Sequence, residues 1–322
     1  MNTTTEIRKA PCISRRNFLA AASLATAGIC LTQRRLFAED VSPVIIIRDA
    51  AATAKITITK LRGNVSVLEG SGGNIAVLTG RDGKLLVEAG ITGTRKGITE
   101  ALASLSPEPV KHLINTHWHF DHTDGNEWLH SEGAEITAHI NTLKHLSVDT
   151  RVEGWNFTFP ASPAGALPTK TFTEEHKLSL NGTTLALKKY PPAHTDSDIS
   201  VEFTDADILH VADTFWNGYY PFIDYSTGGS IDGSIRAAEA NVARVTSKTI
   251  VIPGHGPVGD KAHLIEFRDM LVAIRENVSV LKKKGLTLAE VICAKPTADF
   301  DAKWGGWVIN GSTFTSLVYA GV

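Results

Sequence analysis

Residues 116–122 read Thr116-His117-Trp118-His119-Phe120-Asp121-His122. Three imidazoles and a carboxylate fall within this run, directly after the apolar stretch Val110 to Ile114. Imidazole and carboxylate are the side chains that hold zinc and similar borderline metals. Val110 to Ile114 reads as a short buried strand, and continued alternation puts His117 and His119 on one side of the chain. Asp121 and His122 follow in a turn and can point elsewhere, so the run can serve two ions rather than one. A polar loop with chance histidines would explain a lone His, but not ligand types set this closely together.

The form His-x-His-x-Asp-His resembles the signature of the metallo-β-lactamase fold superfamily. That pattern needs three further ligands downstream, each at a strand end, and the chain offers them in order. His194 lies in Pro192-Ala193-His194-Thr195-Asp196-Ser197-Asp198, and Asp213 follows the apolar stretch Ile208 to Ala212. His255 lies in Val251-Ile252-Pro253-Gly254-His255-Gly256-Pro257. The resemblance covers roughly residues 55–260 and is more specific for fold and metal than for substrate. It implies an α/β protein with a four-layer αββα sandwich. It also implies a two-ion site, with His117, His119 and His194 on the first metal, Asp121, His122 and His255 on the second, and Asp213 bridging them. Two zinc ions are the expected cofactors, with iron or manganese as alternatives. Zinc β-lactamases of this family typically carry Cys or Ser at the bridging position. The glyoxalase II, lactonase and phosphodiesterase relatives carry Asp, as this chain does.

The chain has 322 residues, room for one large α/β domain or two small ones. A hydrophobic content of 43% is ordinary for a globular protein. The net charge of −2 argues against nucleic acid as a bulk electrostatic partner. Residues 14–19, Ser-Arg-Arg-Asn-Phe-Leu, precede an uncharged Ala- and Leu-rich stretch from Phe18 to Thr32. A basic segment before a moderate apolar run reads as a secretory signal. Arg15-Arg16 with Phe18-Leu19 resembles the twin-arginine export motif. Residues 1–38 are therefore expected to be a signal segment, the twin-arginine machinery a partner, and the protein periplasmic or secreted. Leu36-Phe37-Ala38 is a poor cleavage site, which leaves an uncleaved anchor open, although fifteen apolar residues are short for a membrane span. A cut after Ala38 would leave 26 basic against 33 acidic residues, a charge of −7. Of Cys12, Cys30 and Cys293 only the last would then remain, read as a buried thiol in an apolar helix.

Residues 42–322 are read as the catalytic domain. Residues 55–69 alternate into strands, and Ile75 to Thr79 and Lys84 to Glu88 flank a turn as a hairpin. Arg95 to Leu105 and Ile231 to Val245 have helical spacing. Leu178 to Lys188 and Ile199 to Phe203 resume strands. Leu264 to Lys284 carries the clearest helical stripe, Gly285 closes it, and Thr287-x-x-Glu290 forms a capping box. Residues 148–172 show no clean period and carry Trp155, Phe157 and Phe159. They read as a long loop or insertion, equally suited to a lid or to a surface elaboration with its aromatics tucked onto the core.

Two ions typically sit about 3.5–4 Å apart and lower the pKa of bound water from 15.7 toward about 7. With no hydrolytic triad signature in the chain, the metal must supply the nucleophile. The resemblance therefore implies a hydrolase whose metal-bridging hydroxide attacks an ester, lactone, thioester or amide carbonyl of a small-molecule substrate. Asp121 and Asp213 would be its catalytic carboxylates. Glu88, Thr116 and Asp124 are expected to hydrogen-bond behind the ligands. Asn217, Tyr219 and Tyr220 could donate to substrate, although core packing is the commoner fate of such tyrosines. His112, His130, His139, His145, His176, His210 and His263 fit no ligand slot. The alternatives are a metallo-β-lactamase, an iron persulfide dioxygenase sharing this fold, and a noncatalytic metal-binding protein. No obligate protein partner is evident.

Overall fold

Two large sheets organise the computed structural model, which describes residues 42–70 and 72–322. The twin-arginine segment lies outside the described residues. Among the described residues no helix is long and apolar enough to cross a membrane. After helix α1 (Pro43–Thr53) come strands β1 (Thr57–Lys60), β2 (Val65–Glu69), β3 (Ile75–Leu78) and β4 (Lys84–Val87). Helix α2 (Arg95–Leu105) leads to β5 (Val110–Asn115), the short helices α3 (Phe120–Thr123) and α4 (Asn126–Ser131), then β6 (Glu135–His139) and α5 (Ile140–Leu146). A small ribbon, β7 (Thr150–Val152) with β8 (Phe157–Phe159), precedes β9 (Lys170–Phe172). The first sheet has the order β1-β2-β3-β4-β5-β6-β9. Its β1–β4 part is antiparallel, and β4 to β9 run parallel.

The second sheet runs β10 (Glu175–Leu180), β11 (Thr183–Lys189), β12 (Ile199–Phe203), β13 (Ile208–Trp216) and β14 (Ile250–His255) in chain order. Helix α6 (Ile231–Arg244) links β13 to the parallel β14. The C-terminal part is helical: α7 (Lys261–Lys283), α8 (Leu288–Cys293), α9 (Ala298–Trp304) and α10 (Gly311–Gly321).

Alternate residues of the two sheets meet in one core. Val65, Val67, Leu85 and Val87 of the first sheet pack against Leu187, Val201, Phe203 and Ile208 of the second. The opposite residues of the first sheet, Leu68, Ile75, Val77 and Leu86, pack on Ile98 and Leu102 of α2 and Trp128 of α4. Leu209, Val211 and Val251 face α6 and α7 on the outer side of the second sheet. The layers are therefore helix, sheet, sheet, helix, the αββα architecture expected. Each apolar face is covered by its neighbour.

The local expectations largely match. The helix at Arg95–Leu105 and the strand at Ile199–Phe203 have the expected bounds. Thr287 and Glu290 form the full capping box. Residues 148–172 differ. They fold into the β7–β8 ribbon and contribute β9 to the edge of the first sheet. Three-residue strands are too short to display alternation, so the sequence reads as irregular. Cys293 is exposed at the end of α8 rather than buried.

Candidate metal centre

The seven residues of the two-ion pattern meet where strands of both sheets end. Strand β5 delivers the extended His117 and His119, after which α3 turns Asp121 and His122 inward. Strand β14 ends in His255, and β13 carries Asp213. Asp213 is presented by a distortion: β13 is irregular between His210 and Trp216, and Ala212 sits at φ +46°. A non-glycine residue in that left-handed region costs free energy and is found where the surroundings enforce it. His194 comes from the loop after β11. Its N–H donates to the buried Asp198 carboxylate, which also accepts from the Thr195 N–H and hydroxyl. Burial pushes the Asp198 carboxyl up to about 6, against the pull of those donors.

Two clusters result. His117, His119, His194 and Asp213 form one, and Asp121, His122 and His255 form another, each with ligand-type atoms within 4.8 Å of one another. Asp213 touches both: its Oδ1 lies 3.2 Å from His122 Nε2, and its Oδ2 lies 3.3 Å from His194 Nε2 and 3.4 Å from His255 Nε2. Asp121 Oδ2 lies 3.4 Å from His255 Nε2 and 3.6 Å from His122 Nε2. All seven side chains are buried.

The outer nitrogens of the histidines are tied back, and this sets which nitrogen faces inward. His119 Nε2 donates to Asp224 Oδ2 at 3.0 Å, leaving Nδ1 toward the cluster. His194 Nδ1 donates to the Phe222 carbonyl at 2.8 Å. Thr116 gives its hydroxyl proton to Glu88 and can accept from His117 Nδ1, 3.1 Å away. Glu88 Oε1 also stands 3.3 Å from His122 Nδ1. Glu88 is fully buried at φ +80°, and burial raises its carboxyl above the usual range. One carboxylate thus backs a histidine of each cluster.

Most of what points inward is unsatisfied, although His194 Nε2 and His119 Nδ1 lie 2.9 Å apart. His117 Nε2, His122 Nε2, His255 Nε2 and Asp213 Oδ1 are buried polar atoms without a hydrogen-bond partner. Their close approaches lack hydrogen-bond geometry. Buried polar atoms are normally paired, so a convergent set of orphaned lone pairs fits cations. The electrostatics agree at Asp213 and His117, while at His122, against the effect of burial, Asp213, Asp121 and Glu88 raise the imidazole well above its usual value. Burial opposes charge on Asp213, but His122, His255 and His194 overcome it and hold the carboxyl well below the usual range. Burial, with His122 beside it, drives His117 well below the usual imidazole value, so its lone pair is free.

Glycines leave space for the ligands. A Cβ at Gly254 would fall on Asp213 Oδ1 and the Ala212 backbone, and one at Gly73 on the His122 ring. Asn74 staples the final ligand loop by donating from its side chain to the Pro253 and Gly256 carbonyls. His210, beneath the site, bonds the Asn74 carbonyl, and burial lowers it to about 4.

Other expected site residues lie elsewhere. Tyr220 is no substrate donor: its hydroxyl is consumed by Asp301 Oδ1 and the Thr297 carbonyl, and its ring stacks on Phe314. Asn217 spends its side-chain amide on the Pro257 carbonyl and its N–H on the His255 carbonyl, so it shapes the ligand loop. Tyr219 packs on Trp307 with ring centroids 5.3 Å apart. Asp124 accepts from the Thr92 N–H and pins a loop instead of orienting a ligand. Asp224 was not singled out from the sequence, although it ends the segment Phe215 to Asp224 that follows Asp213. A carboxylate about ten residues beyond a ligand gives no sign of which imidazole it will meet. Trp155 and Trp307 were missed as neighbours of the site. Trp155 lies 4.8 Å from the His119 ring and stacks on Phe222 at 4.5 Å, while Trp307 lies 5.1 Å from the His255 ring. Trp155 is thus packed behind His119, with Phe159 beside it, while Phe172 packs on His139 and His176.

An αββα sandwich with a buried His/Asp cluster at the rim of both sheets defines a protein that could hold metal ions. Comparison with known proteins gives the family. The family model described as "Metallo-beta-lactamase superfamily" matches residues 68–259, more than half of the chain, and the chain belongs to that superfamily. Among solved structures it is similar to a double mutant of the sec-alkyl sulfatase PisA1, at a TM-score of 0.63 and 16% identity over 85% of this chain and 51% of that one. It is also similar to a metallo-beta-lactamase from Pontibacter korlensis, at a TM-score of 0.55 and 19% identity over 68% of this chain and 99% of that one. The DIM-1 metallo-beta-lactamase gives a TM-score of 0.53 and 22% identity over 68% and 97%. The chain spans about half the length of the alkyl sulfatase. No curated protein matches the chain. The superfamily includes hydrolases; at these identities the structural likeness speaks to fold.

Proposed function

We propose that the chain is an exported binuclear zinc hydrolase that cleaves an ester, lactone, thioester or amide carbonyl. The observation that carries this reading is the convergence of imidazole nitrogens from two clusters on the two oxygens of Asp213, those of His122 and His255 without a hydrogen-bond partner. The donor set, imidazole and carboxylate without thiolate, suits zinc, and leaves iron and manganese as alternatives. His117, His119 and His194 would hold the first ion, Asp121, His122 and His255 the second, with Asp213 shared. Two such ions supply an activated water and polarise the scissile bond. The protein's own part is positioning. Asp224, Thr116 and the Phe222 carbonyl fix three imidazoles in one tautomer. Asp121 Oδ2, between His122 and His255, is placed to accept a proton. An ion held by His117, His119 and His194 would keep more positive charge to draw a carbonyl oxygen than one held with Asp121.

Asp213 in the bridging position favours this class over a β-lactamase. A complete ligand set favours it over a noncatalytic binder, whereas a one-iron dioxygenase can keep the second-site ligands and is separated by metal content and oxygen consumption. The test is hydrolysis of a cephalosporin, a thioester and a lactone by the zinc-loaded mature protein, with and without chelator. Chelator-sensitive turnover of the thioester or lactone alone is the expected result. Cephalosporin turnover at an enzymic rate would reassign the chain as a β-lactamase. Iron content with oxygen consumption on a persulfide would overturn hydrolysis. Export would run through the twin-arginine machinery. Replacing Arg15 and Arg16 together by Lys should keep the protein in the cytoplasm, and unchanged periplasmic yield would refute that route.

A further inference from the structure

An apolar groove of about 190 Å³ runs between one face of α1 and the loop after α9, with Ile46, Ile47, Ala50, Trp307 and Val308 among its walls. No charged side chain lines it among the described residues. It is open to solvent, since Ile46 is 50% and Trp307 37% exposed. Two of its walls, Gly72 and Trp307, neighbour residues of the second cluster. Gly72, on its floor, backs onto Asp121, where an added Cβ would clash with the Asp121 side chain and carbonyl. Trp307 covers the His255 ring at 5.1 Å and leans on Trp216 at 5.5 Å. The volume exceeds the roughly 150 Å³ of an apolar cavity that accepts benzene. Exposed apolar surface joined to a polar reaction centre is the usual form of a small-molecule site: an apolar wall with a few convergent polar groups at one end.

We infer that this groove binds the uncharged, apolar arm of the substrate, an unbranched acyl chain whose carbonyl sits at the His255 end, so that Ile46 and Trp307 set chain-length preference. The inference rests on the hydrolase reading for the chemistry but on the groove alone for the recognition. A charged or sugar-like arm would find no partner for its polar groups and would lose their hydration. Helix α1 has the rigidity the task needs, because Val44, Ile47 and Ala51 are buried in the core and Ser42 caps it by accepting from the Val44 N–H.

The test is the chain-length dependence of kcat/KM for p-nitrophenyl esters from acetate to octanoate with the zinc-loaded protein, run beside calorimetric binding of straight-chain carboxylates from butanoate to decanoate. Each added methylene should raise both quantities by about threefold until the groove is full. Ile46→Asp, at an exposed position where a charge is tolerated, should flatten both slopes, while Val272→Asp on the exposed face of α7 should keep them. Equal slopes in the wild type and Ile46→Asp, or no length dependence in the wild type, would overturn the proposal. Absence of chelator-sensitive turnover on every ester would refute the hydrolase reading instead, and the calorimetric slope would still decide the groove.

Discussion

The two ligand clusters are built from similar side chains but are held in different ways. In the first, each imidazole is tied by a hydrogen bond through its outer nitrogen: His117 to Thr116, His119 to Asp224, His194 to a backbone carbonyl. In the second, His255 rests between the rings of Trp216 and Trp307, 4.3 and 5.1 Å away, and His122 has only the 3.3 Å approach of Glu88. Hydrogen bonds fix both the tautomer and the angle of a ring, whereas tilted ring contacts such as these restrain position without fixing the tautomer. The first cluster is therefore the more preorganised, and it should bind its ion more tightly. The second, beside the open groove, is where exchange should occur.

The sharpest break in this asymmetry is Asp213→Ala, which removes the one group common to both clusters. Metal content should fall from two ions to one, and kcat by roughly a thousandfold, the equivalent of several kcal/mol of lost charge stabilisation. Elemental analysis with steady-state rates measures it, and near-normal turnover would refute the shared site. Asp224→Asn comes next. Loss of the acceptor behind His119 should weaken the tighter zinc by about 10- to 100-fold and leave the weaker one nearly unchanged. Competition titration against a chromogenic chelator reads the two affinities separately; a uniform shift in both would mean that the clusters are not independently held. Glu88→Gln should weaken both ions, since the Glu88 carboxylate stands behind His117 (through Thr116) and His122. The smallest effect belongs to Tyr220→Phe, which removes a hydrogen bond away from the cluster. It should cost about 1 kcal/mol of stability by denaturant titration, with metal content and kcat unchanged. A large drop in kcat would return Tyr220 to the substrate site.

The same contrast explains what the sequence could reveal. The seven cluster residues were legible because they sit in short, dense motifs at the ends of apolar runs. The two-sheet core was legible because Ile75 to Leu78 is a continuous apolar run and Ile199 to Phe203 alternates cleanly. Glu88 stood out only through the family resemblance, in the run Val87-Glu88-Ala89-Gly90. Asp224 and Trp307 were not legible, because their meeting with His119 and His255 is decided by loops whose path no local pattern dictates. Tyr220 and Asn217 misled for the converse reason. They lie close to Asp213 in sequence, but the chain turns after Trp216 and spends their polar atoms on Asp301 and Pro257. The ribbon at residues 150–159 was hidden by its brevity.

The clusters take His117, His119, Asp121 and His122 from the end of the first sheet and Asp213 and His255 from the second. An ion bound there is thus a crosslink between the two halves of the sandwich, fastened at one rim only. Its binding free energy becomes resistance to prising the sheets apart. Chelation should therefore lower the melting temperature and raise amide exchange first in β5 and β14, the strands that end at that rim, with the opposite rim following later. The chemistry at the mouth of the fold and the mechanical closure of its two sheets would then be one property, supplied by the same ions.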